Sequence, residues 1–111
     1  MVRRCYRCCY NMRKDDSDID INQLNQMKQI GAIIIDIRSP QEYNEGHIDE
    51  AIVIPDYEIR KINRIIQDKN QLIIVYCGNG IRSKKAQRYL KQMGYNNVYN
   101  LYKGTENYWD F

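Results

Sequence analysis

The sequence predicts an α/β domain built on a parallel sheet, and three observations carry that prediction. Runs of branched and aromatic apolar residues, above all "LIIVY" at 72–76 and "IIIDI" at 33–37, lack the strict polar alternation of a one-sided strand and suit strands buried on both faces. Between such runs lie segments with apolar residues at helical spacing. Capping residues, glycines and prolines fall at the junctions. Strand alternating with helix implies βαβ units, hence one small domain with a central parallel sheet of about five strands and helices on both faces.

Taken in chain order, the patterned body starts after "RKDDSD" at residues 13–18. Ile19 and Ile21, flanking Asp20, predict a short strand, and Asn22 is placed to cap a helix over residues 23–30 that Gly31 stops. Residues 33–37 predict a second strand, with Asp36 and Arg38 at its end. Ser39 followed by Pro40 is a cap and a first-turn proline, so "SPQEYNEG" reads as one short helix ended by Gly46. Residues 52–54 give a third strand, closed by Pro55, and Ile59, Ile62, Ile65 and Ile66 predict an amphipathic helix before the strand at 72–76. Ala86, Tyr89, Leu90 and Met93 line one side of a helix that starts near Ser83 and stops at Gly94. Residues 98–101 make the final strand.

At 111 residues, 43% hydrophobic and 28% charged, the chain supports one core. The expected division is a cysteine-rich extension over residues 1–17 and a domain over 18–111. No apolar run approaches the roughly 20 residues that span a bilayer, and the basic start lacks an apolar signal segment, so a cytoplasmic protein without membrane contact is expected. A net charge of +3, with acids interleaved among the bases, gives no nucleic-acid footprint.

Of the four cysteines, Cys5, Cys8 and Cys9 crowd into the first nine residues, unlike a disulfide framework spread through a fold. Cys5 and Cys8 have the spacing of a zinc knuckle or redox pair, but no second pair exists and His47 is the sole histidine, so no metal is expected. Two readings of the three stand: a mobile acceptor or resolving thiol, and an unpatterned extension upstream of a start at Met12.

The fourth, Cys77, lies between the 72–76 strand and the helix after it, in "CGNGIRS". The glycines let successive N–H groups turn inward as an anion-binding nest. Inward N–H groups, the positive end of a helix and nearby cations all stabilise a thiolate. Lys84 and Lys85 fall in the first helical turn, where cations oppose the macrodipole, and a broken local rule beside a cysteine marks a functional site. Ligand sites in parallel sheets form outside the carboxyl ends of the strands, where Cys77, Asp36 and Arg38 all fall.

Four stretches in this order carry a resemblance: D-x-R at 36–38, E-x-x-x-G-H-I at 42–48, C-x-x-G-x-R-S at 77–83 and L-x-x-G at 101–104. From about Asp18 to Trp109 the chain resembles the single-domain rhodaneses, a thiosulfate sulfurtransferase family. The resemblance implies Cys77 as the sulfur-carrying nucleophile, with the loop of Gly78, Asn79, Gly80, Ile81 and Ser83 holding the persulfide and Arg82 contacting the anion, without a cofactor. Lys84, with Lys85, would help draw in an anionic small-molecule sulfur donor, and a thiol, protein or cyanide would accept the sulfur. Asp36 and Arg38 are expected to support the loop, His47 to hold a turn, Glu42 to cap or pair, and the tyrosines and Trp109 to pack. The chain departs from the family where Glu50 and Lys103 stand in place of glycines. Phosphatases and arsenate reductases of related fold have a longer loop; four residues separate Cys77 from Arg82 here, a smaller cradle that suits sulfur better than a phosphoryl group. A sulfur-relay or regulatory module that binds a partner protein is the other reading.

Overall fold

The computed structural model describes residues 15–107. Cys5, Cys8, Cys9, Met12 and Trp109, and the readings attached to them, lie outside the described residues.

Five strands form one sheet: β1 (Asp18–Ile19), β2 (Ile33–Asp36), β3 (Ile52–Val53), β4 (Leu72–Tyr76) and β5 (Asn97–Leu101), in the order β1-β5-β4-β2-β3 with every pair parallel. The helices are α1 (Ile21–Gln29), α2 (Pro40–Glu45), α3 (Ile62–Ile65) and α4 (Ile81–Gln92), with 3₁₀ turns at Asp56–Lys61 and Gly104–Asn107. The period of two sorts each strand between the faces. Ile35, Ile37, Ile73, Val75 and Val98 join Ile62, Ile66, Ala86 and Leu90 in one core, beneath α3 and α4. Ile34, Ile74, Tyr76 and Leu101 join Leu24 and Ile48 in the other, beneath α1. Central β4 is buried from Ile73 onward, which is why its sequence carries no polar alternation.

Three local expectations change. The cap of α1 is Asp20 rather than Asn22: its carboxylate accepts from the Gln23 amide while the Gln23 side chain accepts from the Asp20 amide, a closed capping box that pulls the helix start forward and shortens β1. The isoleucine-spaced helix is a 3₁₀ turn followed by the single turn of α3, because Glu58 leaves helical geometry (φ −118°, ψ 17°) and branched isoleucines add little helix propensity. Its pattern still buries Ile62 and Ile66, while Ile65 is 48% exposed. Last, α4 begins at Ile81 rather than near Ser83, which sets the geometry of the loop before it. Helix α2 is as read, with Ser39 as cap, Pro40 in its first turn and Glu42 closing a second capping box.

A turn over residues 15–18 leads into the edge strand β1. Asp15 and Ser17, assigned by sequence to the extension, are tied to the domain: the Asn100 amide donates to the Ser17 carbonyl, and the Lys84 ammonium binds Asp15 at 2.8 Å. Among the described residues no helix is long and apolar enough to cross a membrane.

Candidate active site around Cys77

Cys77 follows β4 at the carboxyl edge of the sheet, and its side chain is fully buried. The loop then turns through Gly80, whose φ of 90° is left-handed backbone open to glycine at little cost. That turn brings the Gly80 N–H to 3.1 Å and the Ser83 N–H to 3.3 Å from Sγ, with Ser83 Oγ at 3.4 Å. A helix start leaves N–H groups without partners in the helix. Here the sulfur takes two, at Gly80 and Ser83, and the Asn79 carboxamide oxygen takes the Ile81 N–H at 3.0 Å. Of the expected cradle, Gly80 and Ser83 therefore face the sulfur directly. Asn79 holds the turn, with its Oδ1 3.9 Å from Sγ. Gly78 and Ile81 are backbone of the same turn, half-buried.

Behind the loop stands Gly104. A Cβ there would lie 2.2 Å from the Cys77 carbonyl oxygen and 2.7 Å from that of Gly78, so only glycine allows this approach. The next residue, Thr105, donates its N–H to the Cys77 carbonyl at 3.0 Å. The L-x-x-G stretch thus buttresses the cysteine loop from β5.

Arg82 reaches across to α2, with Nη1 and Nη2 each 3.4 Å from an oxygen of Glu42. Burial opposes the Arg82 charge, but the Glu42 carboxylate outweighs it and raises the guanidinium further above its ordinary value. Burial alone would raise the Glu42 carboxyl; the Ser39 amide and Arg82 outweigh that and hold it below the usual carboxylate range. Glu42 therefore both caps and pairs. Beside Arg82 a cavity of about 400 Å³ is lined by Asp56, Tyr57, Ile59, Lys85, Ala86 and Tyr89.

Lys84 does not belong to this cradle. Its side chain is 15% exposed and its ammonium lies 2.8 Å from Asp15 Oδ2 and 3.1 Å from Asp18 Oδ1, whereas Lys85 lines the cavity with Arg82. Asp36 and Arg38 form a buried pair at 2.7 Å, and the Tyr76 hydroxyl donates to Asp36 at 2.8 Å. Arg38 also donates to the Gly46 carbonyl. The pair supports the rim by fixing the chain after α2, and does not touch Cys77 among these bonds. Burial pushes the Tyr76 hydroxyl far above its ordinary value, so it stays protonated as a donor. His47 stacks on Tyr43 with centroids 3.7 Å apart and donates from Nδ1 to the Tyr43 carbonyl, holding the turn as expected. Among the described residues, no group of three or more His, Cys, Asp or Glu could hold a metal ion.

One residue at the site escaped the sequence reading. Asn100 on β5 is 1% exposed, accepts from the Ser83 hydroxyl and donates to Asp18 at 3.0 Å. Its only signal in the sequence was a polar residue interrupting an apolar run.

Comparison with known proteins agrees with this arrangement. Residues 20–110 match the rhodanese-like domain. A tRNA uridine(34) hydroxylase of Erwinia tasmaniensis is 37% identical over 69% of this chain, which spans only 23% of that protein's length. Among solved structures, a rhodanese with anions from E. coli superposes with a TM-score of 0.63 at 35% identity, covering 68% of this chain and 89% of that one. A rhodanese-related protein from Thermoplasma volcanium gives a TM-score of 0.71 at 27% identity, covering 82% and 88%. With its parallel five-stranded sheet, its cysteine loop between β4 and α4 and this match over most of its length, the chain belongs to the rhodanese-like domain family.

Proposed function

We propose that the domain transfers sulfane sulfur through a persulfide on Cys77. The observation that carries the reading is the convergence of the Gly80 and Ser83 N–H groups on the buried Cys77 sulfur, a cradle for an anionic sulfur. The Cys77 thiolate attacks the outer sulfur of thiosulfate, the S–S bond breaks with its electron pair leaving on sulfite, and Cys77–S–S⁻ remains. Attack by cyanide or a thiolate on the outer sulfur then returns the Cys77 thiolate, completing a double displacement. Arg82 has five N–H donors and spends two on Glu42, so it can contact the donor anion while Glu42 holds it in place. No step needs a metal or an organic cofactor. The donor in this reading is thiosulfate or a persulfide, and the acceptor is a thiol, on a small molecule or a protein, or cyanide. Thiosulfate:cyanide turnover tests it: the wild type should form thiocyanate and Cys77→Ser should not, and retained turnover in the variant would remove Cys77 from the reaction.

A second reading is favoured by the 37% identity to a protein named tRNA uridine(34) hydroxylase. The domain would then serve modification of a tRNA uridine, and its partner would be tRNA or a tRNA-bound protein. Nucleoside analysis of tRNA from cells carrying Cys77→Ser separates the two, because only this reading expects altered uridine modification.

A further inference from the structure

Asn100 lies deep beside the cysteine loop, and nothing in the sulfur-transfer chemistry above uses it. Its carboxamide bridges two groups: Nδ2 donates to Asp18 Oδ1 at 3.0 Å and Oδ1 accepts from the Ser83 hydroxyl. Asp18 fixes which way round the carboxamide sits, since a carboxylate accepts hydrogen bonds and would repel the amide oxygen. Asp18 is itself held by Lys84 Nζ at 3.1 Å and by the Asp15 N–H at 2.9 Å. The Ser83 hydroxyl has one proton and three acceptors within reach: Asn100 Oδ1, the Gly80 carbonyl at 3.2 Å and Cys77 Sγ at 3.4 Å. While Asn100 takes that proton, the sulfur keeps, among the described residues, only the Gly80 and Ser83 N–H groups as donors.

We propose that Asn100 is a positioning residue that withholds the Ser83 hydroxyl proton from the Cys77 thiolate. This rests on the sulfur-transfer reading and sharpens it. Once ionised, a thiolate with one donor fewer is less stabilised and more nucleophilic. In the persulfide the inner sulfur carries no charge and needs no third donor. Withholding the proton therefore raises the free thiolate relative to the persulfide. It speeds sulfur uptake, in which the thiolate attacks, and slows discharge, in which the same thiolate leaves.

Two variants release the proton by different routes. Asn100→Leu removes the acceptor. Asp18→Asn, nearly isosteric, frees the Asn100 carboxamide to turn its NH₂ toward Ser83. The charged sulfur then competes for the proton better than the neutral Gly80 carbonyl. In single-turnover experiments at a pH high enough that alkylation of Cys77 no longer rises with pH, so that the thiol is fully ionised, each variant should slow persulfide formation from thiosulfate about three- to ten-fold and speed discharge to cyanide by a similar factor. Alkylation of Cys77 by iodoacetamide, read on the peptide that carries it, should slow in parallel. In a Ser83→Ala background all three effects should vanish. Half-reactions that change in the same direction, or unchanged rates, or effects that persist without the Ser83 hydroxyl would overturn the proposal, because a structural role moves both halves together. If the wild type takes no sulfur from thiosulfate, the transfer reading fails on its own, and slowed alkylation that depends on Ser83 still supports the withheld proton.

Discussion

At the start of α4 the sulfur of Cys77 does what a serine or aspartate oxygen does at most helix starts: it accepts the N–H of the third helical residue, Ser83. The cap and the proposed nucleophile are one atom, which ties the position of the sulfur to the existence of the helix. Gly104 sets the other side of that position. Gly104→Ala should drive the Cys77–Gly78 backbone out of place, since its Cβ would fall 2.2 Å from the Cys77 carbonyl oxygen at a φ of +62°. A loss of about 2–4 kcal/mol in denaturant unfolding is expected, with sulfur transfer lost out of proportion to the folded fraction. The two departures from the family's glycines have the opposite meaning. Glu50 and Lys103 adopt φ of 71° and 61°, left-handed backbone that strains any residue with a Cβ. Glu50→Gly and Lys103→Gly should each stabilise by about 0.5–1 kcal/mol, the relieved strain exceeding the added chain entropy. The exposed Lys28–Glu50 pair lost in the first is worth little. No change in stability in either would mean that the turns accommodate a side chain freely.

At the scale of elements, the basic start of α4 divides into two lysines with different work. The sequence makes Lys84 and Lys85 alike, and with no acid in the first turn both look like cations kept for a ligand. The fold brings Asp15 and Asp18, more than sixty residues earlier, onto Lys84, and a partner at that separation leaves no local pattern to read. Lys84 opposes the helix dipole, but its two carboxylate partners outweigh that cost. Lys84→Gln should destabilise by about 2 kcal/mol or more, because Asp18 stays buried without its cation. Lys85→Gln should leave stability within about 0.5 kcal/mol and weaken thiosulfate use, with a flatter dependence on ionic strength. Urea unfolding and steady-state kinetics of the two variants distinguish these effects. What was legible shares one property. The unbroken apolar runs gave β2 and β4, Ser39-Pro40 gave α2 and the glycine-bounded cysteine gave the candidate site, and each is a local pattern whose physics acts within a few residues. The Asp20 cap, the division of the isoleucine segment into a 3₁₀ turn and α3, and the Asn100 contact were decided by competing caps or by tertiary partners.

For the whole molecule, β4 sits between β2 and β5, and the site is the rim where all three end: Cys77 after β4, the Asp36–Arg38 pair at β2, Gly104 after β5. Acid should loosen this assembly from its β1 edge. Hydrogen bonds from Lys84 and Ser17 hold the Asp15 carboxyl well below its ordinary value of 3.8. A depressed folded-state value means that the contribution is complete above about pH 4–5 and is lost as pH falls through the folded value. Wild-type stability should fall on acidification below about pH 4, and Asp15→Asn should flatten that fall while lowering stability at neutral pH. Equal slopes in an acid series of urea melts would show that Asp15 contributes nothing to acid sensitivity. The central claim concerns the sulfur of Cys77, and intact mass after thiosulfate treatment and desalting tests it most directly. The wild-type chain should gain one sulfur atom, lose it on cyanide addition, and the Cys77→Ser chain should gain none; a wild type that stays unmodified, or a variant that still takes up sulfur, would contradict it.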